Sequence, residues 1–180
     1  MVFAHDTTAA LQAAVALVNS AEPPDTMTTQ DELDEFFAAH DYSGSRTHDA
    51  AELDAVRALR APLRRLLTSD RDEAVRIVNE TLAERHAVPA LVRHDGWDYH
   101  LHAIDSGAPF ADRIAVETAM AMIDLIRLDE LSRLSTCADA HCDDLVLDLS
   151  RNRSRRYCSV TCTNRNAVAA YRARGRQSAS

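Results

Sequence analysis

The chain has 180 residues, 46% of them apolar and only 5% aromatic, enough for a mainly aliphatic core in one ordinary domain or in a moderate domain plus a small one. Four Gly and five Pro argue against a loop-rich or all-β protein. The net charge of −8 is uneven: no Asp or Glu follows Asp148, residues 151–180 hold eight arginines, and the first 150 residues therefore carry −16. No stretch approaches the roughly 18 apolar residues of a membrane span, and no basic start leads into a long apolar run. The expectation is a cytoplasmic protein with no membrane partner and with reduced thiols.

The first 88 residues read as helices. "TTAALQAAVALVNS" places Leu11, Val15 and Val18 at helical spacing, and "EPPDTM" breaks it. Thr29 with Glu32 forms a capping-box pattern ahead of "DELDEFFAAH". After the loop "SGSRTHD", Leu53, Val56, Leu59, Leu63, Leu66 and Leu67 mark a longer helix with a kink at Pro62. Ser69 is placed to cap the next helix, with Val75, Val78 and Leu82 on its buried face, and Pro89 ends it. In "ALVRHDGWDYHLHAI" the Asp95-Gly96 pair between β-prone runs predicts a hairpin near residues 90–104. Trp97, Tyr99 and Leu101 alternate with Asp98, His100 and His102, so the apolar set is expected inward and the polar set outward. Residues 110–133 read as one long helix, with Ile114, Met122, Ile123, Ile126 and Leu131 buried. The texture changes near Leu134, which divides a helical domain, 1–134, from a small C-terminal one, 135–180.

All four cysteines lie in that second part: Cys137, Cys142, Cys158 and Cys162. The spacing is C-x4-C, fifteen residues, then C-x3-C, the arrangement of a structural zinc site. Zinc takes four ligands in a tetrahedron and favours thiolate or imidazole, so two short loops can each supply two sulfurs. The span between the pairs is too small to fold on its own apolar burial. "LVLDL" reads as a strand, "SRNRS" as a turn with Asn152 left-handed, and "RRYC" as the return strand. Cys158 and Cys162 fall on one face of a helical turn that Thr163 or Asn164 can cap. The outline is a small treble-clef-like zinc finger holding one structural Zn2+. His141 could replace one thiolate, and a redox disulfide switch at Cys158 and Cys162 can coexist with the metal.

Arginines flank this site. Arg151, Arg153, Arg155 and Arg156 lie on the expected hairpin, and Arg165, Arg172 and Arg176 share a helix face, with Val168 and Tyr171 expected to pack back on the finger. Arginine's planar fork suits phosphate and guanine edges, which points to double-stranded DNA. Asn164, Arg165 or Asn166 would have to reach bases for specificity. The alternative is that the basic finger docks on protein.

The stretch "DLSRNRSRRYCSVTCTNRNAVAAYRAR" resembles the CGNR zinc-finger family, whose name-giving run is here Cys162-Thr163-Asn164-Arg165. The departure is Thr163 for Gly. Threonine resists the left-handed backbone that glycine allows, but it caps helices well. "ALVNS", "DELDEFFAAH" and "LDAVRALRAPLRRLL" are similar to the ABATE domain that precedes this finger. The resemblance implies a bacterial, stress-induced transcription regulator. Its N-terminal domain would sense a signal, form a homodimer or contact transcription machinery. A protein-interaction adaptor and a redox-sensitive zinc switch are the other readings. His94, Asp98, His100 and His102 are the only other cluster of ligand-type residues, read mainly as a solvated hairpin face. No nucleophile motif, phosphate loop or dinucleotide fingerprint is present, and no enzyme is expected.

Overall fold

The computed structural model describes residues 3–93 and 98–177. Backbone contacts divide the chain into two compact units, Met1–Ser132 and Arg133–Ser180. The architecture is mainly α with two small two-stranded sheets. No helix among the described residues is long and apolar enough to cross a membrane.

Among the described residues the N-terminal unit holds six helices: α1 (His5–Asn19), α2 (Gln30–Ala39), α3 (Ala50–Ala58), α4 (Arg60–Thr68), α5 (Arg71–Glu84) and α6 (Phe110–Arg127). α6 is its centre and packs on α1, α3 and α5. It buries residues on most of its sides, among them Phe110, Ile114, Val116, Ala119, Met122 and Leu125, as a helix surrounded by others must. α1 contributes Leu11, Leu17 and Val18, with the small Ala10, Ala13 and Ala14 beside them; Val15 is only half-buried.

Helix starts follow their capping chemistry. The Thr29 hydroxyl accepts from the Glu32 amide at 3.2 Å, and the Glu32 carboxylate accepts from the Thr29 amide at 2.9 Å. The long helix expected around Pro62 is instead two. α3 stops at Ala58, whose carbonyl the Pro62 ring would meet, and α4 restarts after Leu59 with Pro62 in its first turn. Ser69 does not cap α5. Its hydroxyl donates to the Arg65 carbonyl, and the Asp70 carboxylate accepts from the Glu73 amide at 3.0 Å. A charged cap also meets the positive end of the helix dipole, which favours Asp70. On α5 the buried pair is Ala74 and Val78, while Val75 is exposed. The helix ends at Glu84, before Pro89, and His86 takes a left-handed backbone, φ 50°. Arg60 reaches Asp25 at 2.9 and 3.0 Å and the Met27 carbonyl at 3.0 Å, fastening the loop before α2 to α4. The Arg60 guanidinium lowers the Asp25 carboxyl to about 2.

The hairpin is present, with β1 (Ala90–Val92) antiparallel to β2 (His100–His102) and Leu91 opposite Leu101. Its faces are the reverse of the expectation. Leu91, Tyr99 and Leu101 are exposed, and His100 and His102 are half-buried. The two imidazole Nε2 atoms approach to 3.0 Å, and the side that carries them faces α1 and α6 across a cavity. The Asp95-Gly96 turn, His94 and Trp97 lie outside the described residues.

The helix expected over 110–133 stops at Arg127. Asp129 turns left-handed, φ 57°, and Leu131–Arg133 form a single 3-10 turn. The C-terminal unit follows with β3 (Leu134–Thr136), β4 (Leu145–Leu147) and α7 (Val160–Gln177). β3 and β4 pair antiparallel with Ser135 opposite Val146. The expected return strand at 155–158 is absent. The partner of "LVL" is the segment before the first cysteine, so Cys137–Cys142 forms the tip of the hairpin. In the turn at 150–153 it is Arg153, φ 48°, and not Asn152 that takes the left-handed backbone.

Candidate metal centre and arginine surface

The two ends of the finger bring all four cysteines together. Cys137 follows β3, Cys142 closes the loop at the hairpin tip, Cys158 precedes α7 and Cys162 sits in its first turn. Their Sγ atoms all lie within 4.8 Å of one another. Cys158 Sγ is 3.6 Å from both Cys142 Sγ and Cys162 Sγ. A tetrahedral zinc with bonds of about 2.3 Å needs sulfur–sulfur edges of about 3.8 Å, so the cluster fits the ion. None of the four is in a disulfide. His141 is not part of the cluster; its amide donates to the Asp139 carboxylate at 3.0 Å.

The electrostatics of the thiols point the same way. Burial raises Cys142 to about 11, and burial with the nearby Asp144 pushes Cys158 up further. Such thiols ionise only against a cation, and a bound metal deprotonates its thiol ligands outright. Cys137 is the exception. Burial alone would raise it, but the amides of Cys158 and Asp139 donate to its sulfur and hold it below the usual thiol range. Amide donors of this kind stabilise a thiolate ligand. The residues that fit thus supply a closed, all-sulfur structural site. Val146 and Tyr157 pack against it and reduce the exposure of the sulfurs to water.

Three residues that build the site were not singled out from the sequence. Asp139, 3% exposed, accepts from the His141 amide and pairs with Arg165 at 3.0 Å. Asp148, also buried, accepts from the amides of Ser150 at 2.8 Å and Arg155 at 2.7 Å, shaping the 150–155 loop. Ser159 caps α7: its hydroxyl accepts from the Cys162 amide at 3.3 Å, so neither Thr163 nor Asn164 is the cap. A signal existed in "CADAHC" and "DLS", because Asp two residues before a chain reversal forms an Asx turn. Thr163 lies inside the helix, with its amide and hydroxyl both donating to the Ser159 carbonyl. No left-handed backbone is needed there, so glycine's freedom is not required.

The candidate DNA-facing residues separate into two sets. Arg165 is tied to Asp139, and Arg155 donates to the Cys158 carbonyl at 2.9 Å; both hold the finger together. Arg151, Arg153, Arg156, Asn164 and Arg172 are exposed. Asn166 donates to the Cys162 carbonyl at 2.9 Å, and the side chain of Arg176 lies outside those described. Val168 and Tyr171 are 47% and 73% exposed, so they do not pack back on the finger as expected.

Residues 133–175 match the CGNR zinc finger. Residues 11–129 match ABATE, a family described as "Putative stress-induced transcription regulator". No curated protein matches the chain. The ABATE match spans well over half of the residues, and the chain belongs to that family, with a CGNR zinc finger following its ABATE domain.

Proposed function

From this family membership we propose that the protein is a DNA-binding transcription regulator. The finger makes the contact and the helical domain, residues 1–134, senses a signal. The observation that carries the reading is the exposed set Arg151, Arg153, Arg156 and Arg172, held on a loop and a helix that the cysteine cluster fixes to one another. No acidic residue follows Asp148 in the sequence. Phosphate contacts from such a set supply affinity and strong salt dependence, while base edges supply specificity. Asn164 is the exposed residue of the first α7 turns suited to reading a base, because its amide both donates and accepts. Arg165 acts by positioning the helix on the knuckle. Neither catalysis nor a membrane has a role, and the protein works in the cytoplasm of a bacterium under stress.

The test uses the full chain, wild type and Cys158→Ser. Zinc per chain is counted and each protein is titrated with duplex DNA fragments at two salt concentrations. One zinc in the wild type, with salt-sensitive binding that the variant loses, is the expected result. A zinc-loaded wild type that ignores DNA would sink the regulator reading.

The exposed Val160, Val168 and Tyr171 on α7 favour a second reading, in which this helix docks on a protein such as the transcription machinery or a second copy. It predicts a stable protein complex that survives Arg151→Ala and is lost in Tyr171→Ala.

A further inference from the structure

The N-terminal unit contains a cavity of about 260 Å³ between α1, α6, the turn at 40–43 and β2. By the volume of liquid water it holds about nine water molecules, which suits a small ligand. One part of its wall is apolar, with Ala9, Ala10, Met120, Ala121 and Ile123. Four carboxylates, three histidines and one arginine are among its polar residues.

Two features distinguish it from a packing gap. The Tyr42 hydroxyl is buried and has no hydrogen-bond partner, which costs free energy and calls for an explanation. Glu117 is half-buried on α6, and burial raises its carboxyl to about 7 against the opposing pull of Arg113. The two terminal guanidinium nitrogens of Arg113 donate instead to the carbonyls of Ser43 and Ser45. That clamp, with Gly44 at φ 93° where a Cβ would collide with the Ser106 carbonyl and the Arg113 side chain, holds the turn that carries Tyr42.

The charges around the cavity favour a cation. Asp6, Asp41, Glu117 and Asp124 line it, and Arg127 is the one arginine among the lining residues. Asp6 and Asp124 are partly engaged, accepting from the Leu101 amide and the Thr7 hydroxyl. His100 Nδ1 lies 2.8 Å from the Asp98 carbonyl and its Nε2 lies 3.0 Å from His102 Nε2, so the two rings are tied to each other and to the hairpin. The four Cys residues are the one metal-type group found among the described residues, so the geometry around Glu117 suits an organic cation better than a metal ion.

We propose that this cavity is the receptor site for a small amphipathic amine, its ammonium held between Glu117 and the Tyr42 hydroxyl and its apolar part against Ala10, Met120, Ala121 and Ile123. The proposal rests on the sensing role given above to the N-terminal domain and specifies its ligand class. The ammonium donates to the Glu117 carboxylate and to the Tyr42 oxygen. Binding therefore releases the proton that Glu117 carries when empty, and that proton goes to solvent. Affinity should rise as pH rises from 6 to 8. His40 also lines the cavity, and burial lowers its pKa and favours the neutral ring, so its titration does not oppose the trend.

The experiment is calorimetric titration of the full-length, zinc-loaded protein with three probes of one skeleton: 3-phenylpropylamine, 3-phenylpropionate and 3-phenylpropan-1-ol. The amine should bind at least tenfold tighter than the acid or the alcohol. Glu117→Gln and Tyr42→Phe should each weaken it about tenfold, and the pH trend should vanish in Glu117→Gln. Tyr42→Phe keeps the ring and so tests the site even if Glu117→Gln fails to fold. No binding of the amine, equal binding of the acid or alcohol, or an unchanged affinity in Tyr42→Phe would overturn the proposal. DNA binding is measured separately, so its loss would sink the regulator reading while leaving this site standing, and the reverse also holds.

Discussion

Asp139 shows what one arginine does in the finger. Its carboxylate is buried, and the His141 amide and the Arg165 charge keep it ionised below the usual carboxylate range. Arg165→Ala would leave that charge without its cation, at the residue that shapes the loop between the first two zinc ligands. We expect zinc affinity to fall by roughly 10- to 100-fold, as for other residues that hold metal ligands in place. Competition against a chromophoric zinc chelator measures it, and affinity equal to wild type would show that Arg165 does not position the site. Glu117 gives a second prediction, in stability. Its carboxyl moves from 4.5 to about 7 on folding, so the native state holds a proton that the unfolded state releases. Stability is then lost as pH rises from about 4.5 to about 7, by on the order of 3 kcal/mol at most. Glu117→Gln removes that loss, so urea denaturation should find it more stable relative to wild type at pH 8 than at pH 5. The same advantage at both values would mean that Glu117 does not titrate in this way.

Elements were legible where their signal is local. The Thr29–Glu32 box needs only residues three apart, and both of its hydrogen bonds form. Thr29→Ala should cost about 1 kcal/mol, and a shift of the urea midpoint reads it; no shift would mean that α2 does not depend on its cap. Pro62 likewise signals a break, although the break falls at Leu59 because the ring acts on the preceding turn. The four cysteines were legible because a tetrahedral site constrains their spacing. Signals that depend on a distant partner were not. Alternation around Leu101 shows which residues share a face, but not which face is covered, and α1 and α6 lie on the histidine side. "LVLDL" reads correctly as a strand, yet its partner is Leu134–Thr136, which continues a helical pattern in sequence. Asp148 and Ser159 escaped notice because a carboxylate or hydroxyl that caps a loop looks like any polar residue until the loop is closed.

At the scale of the whole molecule, charge is the dominant asymmetry. The first 150 residues carry −16 and the last 30 carry eight arginines without an acid. This asymmetry favours the finger over the rest of the chain for the proposed contact with a polyanion, whose strength should then depend on ionic strength. The measurement that tests this most directly is the salt slope of duplex binding, for the zinc-loaded full chain and for the triple variant Arg151→Ala, Arg153→Ala, Arg156→Ala. The account predicts that wild-type binding weakens linearly in log–log form as salt rises, and that the variant's slope is shallower by about 3, one for each phosphate contact removed. A wild-type protein that binds duplex no better than its zinc-free form, or a triple variant with an unchanged slope, would contradict it.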